Sequence, residues 1–149
     1  MDRFAHRTVL LLTLLLLATS ALAGPDQEIL TSVTHSELLG IMDEEGYAVS
    51  LDSDGDILWK LDGYMAFMFI SDNQNALQFF VHFQSDSANL EKVNAWNRSK
   101  RYSRSYLDEE GNPVLELDLD LEGGITHARL LDFLKTCKVS FNVWLDEAL

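Results

Sequence analysis

The chemically capable side chains that this sequence concentrates are carboxylates. Glu116, Asp118, Asp120 and Glu122 alternate along one segment, and Asp52, Asp54 and Asp56 crowd another. Paired acids do general acid–base work when burial drives their pKa values apart. The first set, however, alternates with Leu115, Leu117, Leu119 and Leu121, the pattern of an amphipathic strand with a solvated acidic face. The second set offers three oxygen ligands in a turn. A calcium loop beginning at Asp52 needs Gly where Ile57 stands and a bidentate Glu where Gly63 stands, so a solvated hairpin turn is the better reading. Arg101 and Arg104 sit on the segment before the first acidic set. One hairpin register sets Arg101 near Asp120 and a shifted one brings Arg104 opposite Glu116. Either gives a cross-strand ion pair worth about 1 kcal/mol or less if exposed.

Other catalytic or ligating patterns are weaker. His35 and His127 fall at helix starts and His82 in a strand, with no close-spaced metal pair, so they read as structural. The sequence has no Gly-x-Ser-x-Gly elbow, phosphate loop or dinucleotide fingerprint. Cys137 is the single cysteine, which excludes an internal disulfide and a cysteine-clustered zinc site. It lies in a helical apolar stripe and reads as a buried small hydrophobe. No metal or cofactor is expected.

The segment Trp96-Asn97-Arg98 carries more information. Trp96 shares a helical side with Val93 and anchors a short helix, while Asn97 and Arg98 cap its end and pair with sheet carboxylates. The functional alternative makes Trp96, Asn97, Arg98, Arg101 and Arg104 an interaction surface, since Trp and Arg favour binding hot spots.

These residues belong to a chain of 149 residues, long enough for one domain. At 47% hydrophobic it can bury a core. A net charge of −13, from 11 basic and 24 acidic residues, argues against nucleic acid and against docking on an anionic membrane. Residues 1–23 read as a cleaved signal peptide: Arg3 and Arg7, then an apolar run from Val9 to Ala18, then Ala21-Leu22-Ala23 before Gly24. The run is ten residues, short of the roughly 20 needed to span, so stable membrane insertion after cleavage is not expected. Cutting between Ala23 and Gly24 leaves about 126 residues carrying roughly −14, in the periplasm or outside the cell. Residues 24–33 form a short lead, and 34–149 a single domain.

The elements that position the candidate residues follow from periodicity. Leu38, Leu39, Ile41 and Met42 share one face of a helix over 34–45, with Thr34 as N-cap, Glu37 completing a capping box and Gly46 stopping it. Strands are predicted over Tyr47–Leu51 and Ile57–Leu61. Tyr64–Ile70, apolar on both faces, reads as a central strand covered on both sides. In the next strand Leu77, Phe79, Val81 and Phe83 share one face, with Gln78, Phe80 and His82 on the other. A helix from Ala88 to about Lys100 carries Leu90, Val93 and Trp96. Strands follow over Tyr102–Leu107 and Val114–Leu121. A long helix from about Thr126 buries Leu130, Leu134, Cys137, Phe141, Trp144, Leu145 and Ala148. The order α-β-β-β-β-α-β-β-α, with adjacent hairpins, is an α+β fold: an antiparallel sheet packed with helices.

Val93 to Arg98, Arg101-Tyr102, Tyr106 to Asp108, Gly111 to Asp118 and Gly123 to Thr126 together resemble the YbjN family of bacterial proteins. The weaker upstream half, from Leu38 to Tyr47 and around Gly55-Asp56 and Leu77 to Phe79, extends the resemblance over about Leu38 to Phe141. It implies a fold similar to type III secretion chaperones, one that often dimerises, and a role in sensory regulation with no catalytic residues attached. Many members share a cysteine pair around the turn where this chain has Ser71 and Asn75.

The resulting expectation is a non-enzymatic, exported protein-binding or regulatory module, with another protein or a second copy as partner. The alternative is a small-ligand or lipid-binding module with a pocket between sheet and helices, lined by Tyr64–Ile70 and Leu77–Phe83.

Overall fold

A computed structural model describes residues 28–147. The expected signal peptide, its cleavage site at Ala23–Gly24, and Ala148 lie outside them.

Local sequence explains the first helix, α1 (His35–Glu44). Thr34 accepts from the Glu37 amide at 3.3 Å, and Glu37 Oε2 accepts from the Thr34 amide at 2.8 Å, a reciprocal capping box. That bond holds the Glu37 carboxyl below its ordinary range. Gly46, at φ +79°, ends the helix in the left-handed conformation that other residues avoid. Leu38 and Met42 are buried and Leu39 and Ile41 half-buried.

A six-stranded antiparallel sheet follows: β2 (Val49–Leu51), β3 (Ile57–Leu61), β4 (Tyr64–Ile70), β5 (Ala76–His82), β6 (Arg104–Leu107) and β7 (Pro113–Asp120), in the spatial order β2-β3-β4-β5-β7-β6. Helix α2 (Leu90–Ser99), capped by Asn89, joins β5 to β6, and α3 (His127–Glu147) closes the chain. The expected order of helices and main strands is observed, with one addition. Ile29–Leu30 (β1), in the presumed lead, pairs with Ile125–Thr126 (β8). Two-residue strands carry no periodicity for a sequence to display. Gly124, at φ +90°, makes their approach possible: a Cβ there would stand 2.7 Å from Ile29 Cγ2.

The core lies on one face of the sheet. Ile57, Trp59, Ala66, Met68, Leu77, Phe79, Val81, Leu115 and Leu117 point into it from the strands. Leu38 and Met42 of α1 and Leu130, Leu134, Cys137, Phe141 and Trp144 of α3 meet them. Trp59 packs edge-on against Phe79 with centroids 5.7 Å apart. Phe133, outside the expected stripe, is also buried, whereas Leu90 is 66% exposed.

Candidate functional site

The alternation that buries one set of strand side chains turns the other set away from the helices. Across the register these form rows. Leu58, Phe67, Phe80, Glu116 and Arg104 stand side by side in one row, and Phe69, Gln78 and Asp118 in the next. Phe67 and Phe69 stack with centroids 5.4 Å apart at an interplanar angle of 10°, and Phe80 lies 5.7 Å from Phe69. Leu58 and the three phenylalanines are half-buried and stand outside the core. Met65, 43% exposed, extends the apolar area. Beside it a depression of about 310 Å³ is lined by Phe69, Ala76, Gln78, Asp118 and Asp120, among others. The expectation that β4 is covered on both sides is therefore corrected: one apolar face packs the core, and the other belongs to an open aromatic surface.

At the far end of the first row the acidic face also departs from its expected solvation. Glu116 is only 5% exposed. Arg104 Nε and Nη2 pair with its Oε2, and the Tyr106 hydroxyl donates to its Oε1 at 2.6 Å. The guanidinium lies over the Tyr106 ring, 5.8 Å from its centroid. Desolvation, and then the hydrogen bond to Glu116, push the Tyr106 phenol up to about 12. Both Glu116 oxygens are occupied, which suits a structural ion pair rather than proton transfer. Of the two registers, the structure adopts the one that sets Arg104 opposite Glu116. Asp118 and Asp120 remain exposed, with Gln78 Nε2 donating to Asp118 Oδ1 at 3.0 Å.

The structure separates the residues of the expected interaction surface. Trp96 is buried at 3% exposure, and its indole N–H donates to Ser103 Oγ at 3.1 Å. Asn97 Nδ2 donates to the Ser105 carbonyl at 2.8 Å, and its Oδ1 accepts from the Ser105 amide at 2.9 Å. Arg98 and Arg101 are exposed and form no ion pair among the described residues. Arg104 belongs to the open sheet face. The aromatic part of that face was missed in the sequence, although Phe67, Phe69 and Phe80 sit at the right alternation to reveal it.

The remaining candidates resolve locally. Asp52 Oδ1 accepts from the amides of Asp54 and Asp56 at 2.9 and 3.0 Å, so its carboxylate holds its own turn. His35 faces Asp56 at 3.9 Å and His82 faces Asp108 at 3.4 Å. Cys137 is buried, and burial pushes its thiol well above the ordinary range. Ser71 Oγ donates to Asn75 Oδ1 at 3.3 Å across the turn between β4 and β5. Where β4 and β5 face the helices, the place of the expected small-ligand pocket, Trp59, Phe79, Phe141 and Trp144 are fully buried and fill the space. Among the described residues no helix is long and apolar enough to cross a membrane.

With this geometry in place, comparison with known proteins is informative. The model of the YbjN family, described as "Putative bacterial sensory transduction regulator", matches residues 34–145. Among curated proteins nothing matches. Among solved structures, YbjN from E. coli is similar with a TM-score of 0.65 at 17% identity, over 78% of this chain and 90% of that one. The Yersinia pestis type III secretion chaperone SycH, solved with a fragment of YscM2, gives a TM-score of 0.47 at 16% identity, over 73% of this chain and 98% of that one.

Proposed function

The chain belongs to the YbjN family, and from that premise we propose that it is a non-catalytic regulatory module that binds another protein on the open face of its sheet. The observation that carries this reading is the aromatic cluster of Phe67, Phe69 and Phe80, flanked by Leu58 and Met65, on a face outside the helix-covered core. Contiguous apolar surface rimmed by polar groups marks interaction sites on soluble proteins. Here the rim is Lys60 on one side and Asp118 and Asp120 on the other. The most enclosed carboxylate on the face is fully engaged by Arg104 and Tyr106, which supports binding over catalysis.

The protein acts in the periplasm or outside the cell after cleavage between Ala23 and Gly24, a placement supported by the leader-like segment Met1 to Ala23. A heterologous protein is the intended partner, with a second copy of the chain as the competing occupant of the same face.

In-cell photocrosslinking of the full-length chain tests this directly. A crosslinker replacing Phe67 should capture a protein that one replacing Leu90, exposed but away from this face, does not. Equal capture at both positions would overturn the site, and capture of the chain alone would replace the partner with a homodimer. Mass spectra of the same samples read the N-terminus: Gly24 fits export, and a retained Met1 removes it.

A further inference from the structure

The hydrogen-bonding direction of β7 reveals a second binding element. The Leu121 amide donates to the Asn75 carbonyl at 2.8 Å, continuing the β5–β7 ladder, so the odd-numbered residues of β7 bond toward β5. The even-numbered residues therefore bond the other way, toward β6. From the opposite strand, Ser105 spends its amide and carbonyl outward on Asn97, which leaves Arg104 and Tyr106 to bond inward with Glu116 and Val114. Continued by two residues, this register would set Tyr102 against Asp118. Tyr102 has φ +66°, and the strand begins only at Arg104. Beyond that point the main-chain groups of Asp118 and Asp120 point past the end of β6 with no hydrogen-bond partner among the described residues. Asp118 borders a cavity of about 400 Å³ that is also lined by Tyr102, Leu117, Arg129, Asp132, Phe133 and Thr136.

We propose that this gap accepts an extended segment of the partner protein as an added strand, continuing the line of β6 along Asp118 and Asp120. The inference rests on the protein-binding reading and names the chemistry of the bound segment. A residue opposite Asp118 lies on the open face beside an exposed carboxylate, as Arg104 lies beside Glu116, and is basic. The residue before it, opposite Leu119, turns the other way and is apolar, while Ser103 already holds the place opposite Leu117. A segment that ends on an apolar–basic pair satisfies both requirements, and the chain's charge of −13 favours a cationic partner. The margin at β2 is less suited, since that strand has three residues and runs into the Asp52–Asp56 turn.

The probe is an acetylated, amidated peptide Val-Thr-Val-Arg, its arginine opposite Asp118, added to the folded chain, with amide hydrogen exchange read residue by residue. Slowed exchange at Asp118 and Asp120 is expected. A twin peptide N-methylated at the arginine and at the threonine two residues before it, whose amides the register turns toward Asp118 and Asp120, or one with Glu in place of Arg, should bind about tenfold or more weakly. Asp118→Pro removes a donor that β5 does not use, so the sheet should persist while binding drops by a similar factor. Asp120→Pro provides the same readout if the first variant misfolds. Equal binding of the N-methylated twin, or protection confined to Phe67, Phe69 and Phe80, overturns the inference.

Photocrosslinkers separate this inference from the broader reading. Benzoylphenylalanine replacing Tyr102 should capture the same partner as one replacing Phe67. Capture from Phe67 alone removes the added strand and leaves the protein-binding reading intact, whereas capture from neither removes both.

Discussion

Asn97 and Ser105 are joined as two paired strands would be: the Asn97 carboxamide donates to the Ser105 carbonyl and accepts from its amide, at 2.8 and 2.9 Å. A side chain of α2 thus closes the main-chain groups that β6 would otherwise present as an open edge. The Ser105 hydroxyl is engaged as well, accepting from the Trp144 indole at 2.8 Å. One buried serine therefore ties α2, β6 and α3 together.

Asn97→Ala leaves both main-chain groups of Ser105 without their partner. The expected loss is about 1–3 kcal/mol, read as a lower midpoint in urea unfolding. Asn97→Asp retains an acceptor and loses the donor, so it should fall between the two. A wild-type midpoint in the alanine variant would remove Asn97 from the account of the edge.

Phe79 and Phe80 are adjacent in sequence and opposite in consequence. Phe79 is fully buried between Trp59 and the helices, and its replacement by Ala should cost about 3–5 kcal/mol. Phe80 stands on the open face, and the same change should cost about 1 kcal/mol while weakening partner capture. Comparable destabilisation by both would mean that the open face is part of the core.

Tyr106 sets an alkaline limit. Its phenol is raised to about 12 in the folded chain, first by desolvation and then by the bond to Glu116. Unfolded, it titrates near 10. The stabilisation is fully present below pH 10 and is lost as pH rises from there toward 12, because the unfolded state gives up its proton first. Tyr106→Phe should flatten stability across that window, and phenolate absorbance should show one late-titrating tyrosine disappear. A parallel loss in both proteins would place the effect elsewhere.

Gly124→Ala tests the β1–β8 pair. The added methyl meets Ile29 at 2.7 Å on a backbone with φ +90°, and the expected cost is about 1–3 kcal/mol. Faster amide exchange should be concentrated at Ile29–Leu30 and Ile125–Thr126. Unchanged exchange there would show that the pair tolerates the methyl.

Local signals in the sequence located most of the fold, and their physical range explains where they stopped. Thr34 and Glu37 announce α1 because a capping box is made within four residues. The bounds of β4 are legible because Gly63 and the turn at Asp72–Asn75 flank an apolar run. The expected start of β6 at Tyr102 was two residues early, since a tyrosine in the left-handed region has no compositional signature. The open face stayed hidden for a different reason. A strand apolar on both sides looks the same whether its second face meets a helix or water. Asn97 was legible as a capping residue, but the group it closes is eight positions away on another element.

The strand order has a consequence for the sequence of assembly. β2 through β5 are joined by successive turns and can pair as they emerge from N- to C-terminus, as can the β6–β7 hairpin. The central seam joins β5 to β7 across intervening α2 and β6, so it must wait for chain roughly thirty residues further on and a larger loop closure. Until then β5 presents a bare margin to other chains. The amphipathic helix that covers the core on both sides of that seam emerges last, which makes the incomplete chain most vulnerable to misassociation between the emergence of β5 and the docking of α3.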